Sequence, residues 1–160
     1  MIRRPASFAR SNACSATAGG SLTLLDDLIV DGNFTVLDGG ATAFTITGRT
    51  VSFQDDVTLT NLDIFTVNGS TVIFYGTTNL TAAGQKFNDV QIGTVTGGGY
   101  LKLVGDMDIE GDLTITNGGF TTFDITNSMV CFDPDVDLTN LDIFIVTAST
   151  ACFYGTTNLI

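Results

Sequence analysis

The chain has 160 residues, enough for one domain with a sizeable core. Its 44% hydrophobic and 14% charged content, 18 glycines, 2 prolines and lack of His and Trp exclude disorder and helical bundles. Seventeen acidic against six basic residues give a net charge of -11. Such a surface repels phosphate backbones, and the one basic cluster is Arg3, Arg4 and Arg10 at the start, so nucleic acid is not an expected partner. No apolar run is long enough for a membrane-crossing helix, so no transmembrane segment is expected.

In chain order, residues 1–20 carry early arginines and small residues but no apolar stretch of signal-peptide length, and are expected to be an irregular or partial N-terminal segment. From residue 21 to 160 the sequence is rich in Thr, Val, Ile and Phe, whose β-branched and aromatic side chains suit a pleated, half-buried surface. LTLLDDLIVDGNFTVLDGGATAFTITG, from Leu22, returns as LKLVGDMDIEGDLTITNGGFTTFDITN, from Leu101. VSFQDDVTLTNLDIFTVNGSTVIFYGTTNL, from Val51, returns as VCFDPDVDLTNLDIFIVTASTACFYGTTNL, from Val130, with roughly two thirds of positions identical. The spacing is 79 residues in both cases, and Phe8 falls opposite Phe87 in the same register. Repeat 1 spans about 22–100 and repeat 2 about 101–160, within a single domain over 21–160.

A shorter period lies inside the long one. Ala43–Thr60 aligns on Ile64–Thr81 at an offset of 21, which sets Phe44 on Phe65, Ile46 on Val67, Gly48 on Gly69, Val51 on Val72, Phe53 on Phe74 and Leu59 on Leu80. The second copy repeats this with Phe123 on Phe144 and Phe132 on Phe153. Three steps of about 21 residues and one of about 16 fill the long unit, giving about four turns per unit and about eight in all.

A coil of this size holds two or three short strands and tight turns. In GDMDIEGDLTIT, Met107, Ile109, Leu113 and Ile115 alternate with Asp106, Asp108, Glu110, Asp112, Thr114 and Thr116, one apolar face and one polar. The same alternation turns Val51, Phe53, Val72 and Phe74 inward. The expected fold is therefore all-β, a right-handed parallel β-helix (β-solenoid) of about eight coils and about 38 Å. An antiparallel sandwich or barrel is the alternative, but a meander does not bring aromatic positions back at one-coil spacing with the same facing.

The runs VTLTNLDIFTVNGSTVIFYGTTNLTAAGQKFNDVQI and LVGDMDIEGDLTITNGGFTTFDI resemble the degenerate coils of bacterial parallel β-helix surface proteins, including adhesin passenger regions. The resemblance spans Leu22 to Leu159 and implies a secreted, extracellular or cell-surface rod with no particular chemistry. No GGxGxDx nonapeptide of the calcium-binding roll is present.

Catalysis of the histidine-dependent kind is excluded, and no glycine-rich phosphate loop precedes a helical pattern; Gly97–Gly99 reads as a turn. The repeats hold only Arg49, Lys86 and Lys102 as basic groups, and Arg49 becomes Ser128 in the other copy. No catalytic or cofactor-binding residue is assigned. The cation candidates are Asp133, Asp135 and Asp137, with Asp106, Asp108, Glu110 and Asp112 as a second row, each an incomplete shell for a hard cation and better read as a solvated acidic face. Thr45 with Thr47, Thr58 with Thr60 and Thr114 with Thr116 are Thr-x-Thr fragments that do not persist between copies, as β-propensity alone would give. Cys14, Cys131 and Cys152 are an odd set; Cys131 and Cys152 fall on adjacent rungs and read as two free thiols rather than a disulfide.

The expected function is a structural or adhesive, non-catalytic segment of a larger extracellular repeat protein, with a glycan or cell-surface ligand as partner. The second reading is a fragment of a carbohydrate-active β-helix enzyme of the polysaccharide lyase or hydrolase type. The second copy stops at TACFYGTTNLI where the first runs on into TAAGQKFNDVQI, and no capping helix or charged run follows, so end-to-end self-association is expected.

Overall fold

The computed structural model describes residues 6–8, 20–36, 42–116, 118–133 and 135–158, which form short strands and no helix. The chain winds through three sides in turn. Side one stacks β1 (Ala6–Phe8), β3 (Leu28–Val30), β6 (Thr50–Phe53), β9 (Thr71–Phe74), β12 (Asp89–Ile92) and β15 (Leu113–Ile115), and is continued by β18 (Val136–Asp137) and β21 (Thr157–Asn158). Side two stacks β4 (Phe34–Thr35), β7 (Val57–Thr58), β10 (Gly76–Thr81), β13 (Gly99–Val104), β16 (Thr122–Asp124) and β19 (Ile143–Ile145). Side three holds β2 (Ser21–Thr23), β5 (Ala43–Thr45) and β8 (Ile64–Thr66), then β11 (Lys86–Phe87), β14 (Met107–Ile109), β17 (Met129–Phe132) and β20 (Thr150–Phe153). Every strand pairing is parallel. The fold is a parallel β-solenoid. β1 lies inside the stretch expected to be irregular, while Cys14 lies outside the described residues.

The two continuous sheets are six strands deep, so the solenoid makes about six turns rather than eight, and at about 4.8 Å per rung is nearer 29 Å than 38 Å. The expectation assumed a nearly uniform coil. In fact Leu28 pairs with Val51, Val51 with Val72, Val72 with Val90 and Val90 with Leu113, steps of 23, 21, 18 and 23 residues. Extra residues at the corners also shift one pairing: Leu80 lies opposite Val57, not Leu59.

The strand interval is the underlying module. β5, β6, β7, β8 and β9 begin at 43, 50, 57, 64 and 71, and β16 to β21 begin at 122, 129, 136, 143, 150 and 157, every seven residues. A 21-residue coil is three such sides. The 79-residue repeat is a different multiple. It carries β6 on side one onto β17 on side three, eleven strands later, which is three coils and two further sides. The second copy is therefore turned one side around the axis relative to the first. The three sides are close enough in length and inward pattern for one sequence to serve on either.

Inward alternation holds as the sequence predicts: Val51, Phe53, Val72, Phe74, Met107, Ile109, Leu113 and Ile115 are all buried. Phe44 stacks on Phe65 and Phe123 on Phe144 with ring centroids 5.7 Å apart, Phe53 on Phe74 at 6.0 Å and Phe132 on Phe153 at 5.0 Å. Phe87 closes edge-on against both Phe65 and Phe74. Each buried ring contributes about 1.5–3 kcal/mol by removal from water, so these columns are a main source of cohesion.

Corners are tight turns in which the fourth residue's N–H donates to the first residue's carbonyl: Arg49 to Ile46, Ser70 to Val67, Ser128 to Ile125. The third residue is left-handed, and is Gly48 (φ 64°), Gly69 (φ 63°) or Asn127 (φ 59°). Ala148 takes the equivalent place in the last coil at φ 52°, a conformation that an alanine adopts only at a cost.

Candidate functional site

Outward-facing aspartates on the turns have a consistent task. Asp27 accepts a hydrogen bond from the Thr50 N–H (2.9 Å), Asp56 from Asn79 (2.9 Å), Asp89 from Asp112 (3.0 Å) and Asp106 from Met129 (2.8 Å). Each reaches 23 residues on, to the next coil. Asp63 and Asp142 reach 21 residues back, to the Thr42 and Thr121 N–H groups, both at 2.7 Å. Short acidic side chains thus bind backbone donors that a corner leaves outside the strand ladder. Much of the acidity is coil-to-coil stapling, with Asn61, Gln85 and Asn140 doing the same for carbonyls of Val36, Leu62 and Ile115.

The cation candidates are separated by this chemistry. Asp135 is drawn to the Thr156 N–H (2.6 Å), Asp137 to the Thr139 N–H within its own turn (2.9 Å), and Asp133 is exposed after β17. Of the second row, Asp106 holds Met129, while Asp108 and Glu110 flank Lys86 at 3.9 and 2.7 Å. The Lys86 ammonium is held above its ordinary value, first by its hydrogen bond to Glu110 and then by that carboxylate's charge. No cluster of three or more His, Cys, Asp or Glu able to hold a metal occurs among the described residues. Threonines form single columns, Thr23–Thr45–Thr66 and Thr35–Thr58–Thr81, the second ending at Val104.

A different group of residues forms an open hollow of about 370 Å³ on side two, lined by Gly76, Thr77, Gly98, Gly99, Tyr100, Phe120 and Thr122. Thr77, Tyr100 and Thr122 are in register on three successive rungs. The glycines let neighbouring corners touch: a Cβ on Gly98 would lie 1.8 Å from the Phe120 carbonyl oxygen, and one on Gly118 at the same distance from that of Thr94. This contact, with the Thr94–Gly97 bridge, is the structural role of the Gly97–Gly99 run. It leaves the Phe120 ring 67% exposed at the rim.

Beside the hollow, the Tyr100 hydroxyl donates to Asp124 Oδ2 at 3.1 Å, and the Thr126 N–H donates to Asp124 Oδ1 at 2.9 Å. Asp124 is a buried carboxylate. Burial alone would raise its pKa, but the hydrogen bonds from Thr126 and Tyr100 and the charge of Lys102 outweigh it and hold the group below its ordinary value. Burial and then Asp124 push the Tyr100 phenol up. The hollow therefore presents an exposed aromatic and a half-buried tyrosine whose hydroxyl is held by the buried Asp124 carboxylate.

None of these residues is assigned from sequence alone, yet a signal exists. At 79-residue spacing Tyr100, Lys102, Phe120 and Asp124 replace Ser21, Thr23, Ala41 and Thr45. Positions where the second copy gains an aromatic or charged group converge in space.

In comparisons with known proteins, the chain matches no family model, no curated protein and no solved structure. Architecture alone defines its class, a three-sided parallel β-solenoid built on an internal repeat. No helix among the described residues is long and apolar enough to cross a membrane.

Proposed function

We propose that the chain is a structural and adhesive segment of an extracellular or cell-surface repeat rod, without catalysis of its own, and that the hollow at Phe120 is where it meets a glycan. The observation that carries this reading is the division of labour among outward side chains. Asp27, Asp56, Asp63, Asp89, Asp106, Asp135 and Asp142 hold backbone amides of adjacent coils, as a load-bearing scaffold needs. Phe120 and Tyr100 instead offer ring area beside the exposed Thr77, which suits the apolar face and hydroxyl edge of a sugar ring.

The test is a glycan array probed with the wild type and with Phe120→Ala, together with assays for unsaturated and reducing sugar ends on the glycans bound. Binding that falls at least tenfold in Phe120→Ala, with no new chain ends, supports the reading. Release of unsaturated or reducing ends would favour the carbohydrate-active enzyme reading instead. Binding indifferent to Phe120 would remove the hollow from the account.

A further inference from the structure

We propose that Cys131 and Cys152 form a binding site for a soft, two-coordinate monovalent cation of the Cu(I) or Ag(I) type, held as a thiolate bridge between adjacent rungs of side three. The two residues are in register on β17 and β20, and both are free thiols. Alternation turns them outward, while Val130, Phe132, Ala151 and Phe153 pack toward the core. Asp108 is in register with Cys131 on the rung before, Asp133 lies two residues past Cys131, and Tyr154 two residues past Cys152. Cys152, Asp108 and Tyr154 are the titratable groups that act on the Cys131 thiol, and Asp133 acts in turn on Tyr154, so these side chains make one outward patch.

The internal repeat separates this patch from the needs of the fold. At 79-residue spacing the column Asp108–Cys131–Cys152 stands where the first copy has Ile29–Ser52–Ile73, itself an in-register column on side one. Asp133 likewise stands where the first copy has Gln54. The first copy builds the same ladder from apolar and neutral groups, so the strands require neither the thiols nor the carboxylates. In the second copy both thiols and both carboxylates occur together, on one face.

Spacing decides what the pair can hold. Side chains on in-register parallel strands run side by side, so the sulfurs stand near the rung spacing of about 4.8 Å. A disulfide needs them about 2.05 Å apart, whereas two metal–sulfur bonds of about 2.3 Å laid end to end span about 4.6 Å. The geometry therefore fits a linear sulfur–metal–sulfur bridge. No set of three or more His, Cys, Asp or Glu ligands exists among the described residues, which leaves four-coordinate ions such as Zn(II) short of donors. Two soft thiolates instead select a soft ion content with two ligands. One monovalent ion and two thiols give a dithiolate complex of charge minus one and release two protons, with no change of oxidation state. The neighbouring Lys86 is paired with Glu110 (2.7 Å) and Asp108 (3.9 Å), which leaves Asp133 to draw cations toward the thiols. The inference does not rest on the glycan reading, because the hollow is on side two and the thiols are on side three.

The experiment is anaerobic titration of the reduced full chain with Ag(I), and with Cu(I) against a competing chromogenic chelator, read by sulfur-to-metal charge-transfer absorption. One ion should bind at the Cys131–Cys152 pair. Cys131→Ser and Cys152→Ser should each weaken it by about a hundredfold or more, because a single thiolate cannot form the bridge, while Cys14→Ser leaves it unchanged. Alkylation followed by mass spectrometry gives a readout on the wild type, free of mutation: one equivalent of Ag(I) should shield Cys131 and Cys152 together and leave Cys14 reactive. Zn(II) should bind far more weakly than Ag(I). Binding that survives in both serine variants, shielding of one of the pair without the other, or Zn(II) held as tightly as Ag(I) would overturn the proposal. So would ready formation of a Cys131–Cys152 disulfide with oxidised glutathione, since that requires the sulfurs to stand closer than the bridge allows.

Discussion

Cys131 and Cys152 lie directly opposite one another on adjacent rungs of side three, both as free thiols, with Asp108 in register on the rung before. Alternation turns Val130 and Phe132 into the core and Cys131 outward. Burial first, and then the Cys152 thiol and the Asp108 charge, push Cys131 up from an ordinary value of 9.0 to about 11. At neutral pH its thiolate is therefore scarce. Its alkylation rate should rise roughly tenfold per pH unit through pH 10 and level off only near 11; levelling at pH 9 would contradict this environment. A thiol whose pKa is raised on folding stabilises fully below the unfolded value and loses that contribution as pH rises through the folded one. Urea melts at pH 8 and pH 10.5 should accordingly show a larger loss in wild type than in Cys131→Ser.

Phe53 is 3% exposed, stacked on Phe74 and 5.4 Å from Phe34. Phe53→Ala should cost about 3–5 kcal/mol through the cavity that it leaves. Thermal melts beside the exposed control Thr114→Ala decide the matter. Equal shifts would mean that the ring is not in a packed column.

The Asp142 carboxylate and the N–H of the fully buried Thr121 form a pair between coils. Removing the acceptor in Asp142→Ala orphans that donor, at about 1–3 kcal/mol. Asp63→Ala, its counterpart in the first copy, should lose a similar amount at Thr42. Denaturant midpoints of the two variants measure both, and a loss below about 0.5 kcal/mol in each would show that the staples are ornamental.

Ala148 holds a left-handed conformation at a corner where the first copy has Gly69. Ala148→Gly should stabilise by about 1 kcal/mol and Gly69→Ala should destabilise by a like amount, the opposite signs coming from one backbone geometry. Melting temperatures moving in the same direction for both would refute the shared turn.

The inward rows and the Phe44/Phe65, Phe53/Phe74, Phe123/Phe144 and Phe132/Phe153 columns were legible because burial imposes an alternation and a return distance that the sequence must obey. The Leu59/Leu80 pairing was not, since two extra corner residues alter register without altering composition. The turn count failed for the same reason. The Tyr100, Phe120 and Asp124 grouping escaped because it depends on which side of the solenoid each corner faces. A repeat of three coils and two sides places equal residues on unequal sides, so neither period alone reveals that.

The eleven-strand unit acts as a vernier against the three-sided coil. A surface residue that both units share is displayed by the next unit about 120° around the rod axis, and a third unit would complete the circuit after 33 strands and eleven turns. An array built this way has no preferred roll angle. A flat target meeting such an array from any direction finds one copy of each shared patch facing outward, at the expense of never finding two adjacent copies on the same line.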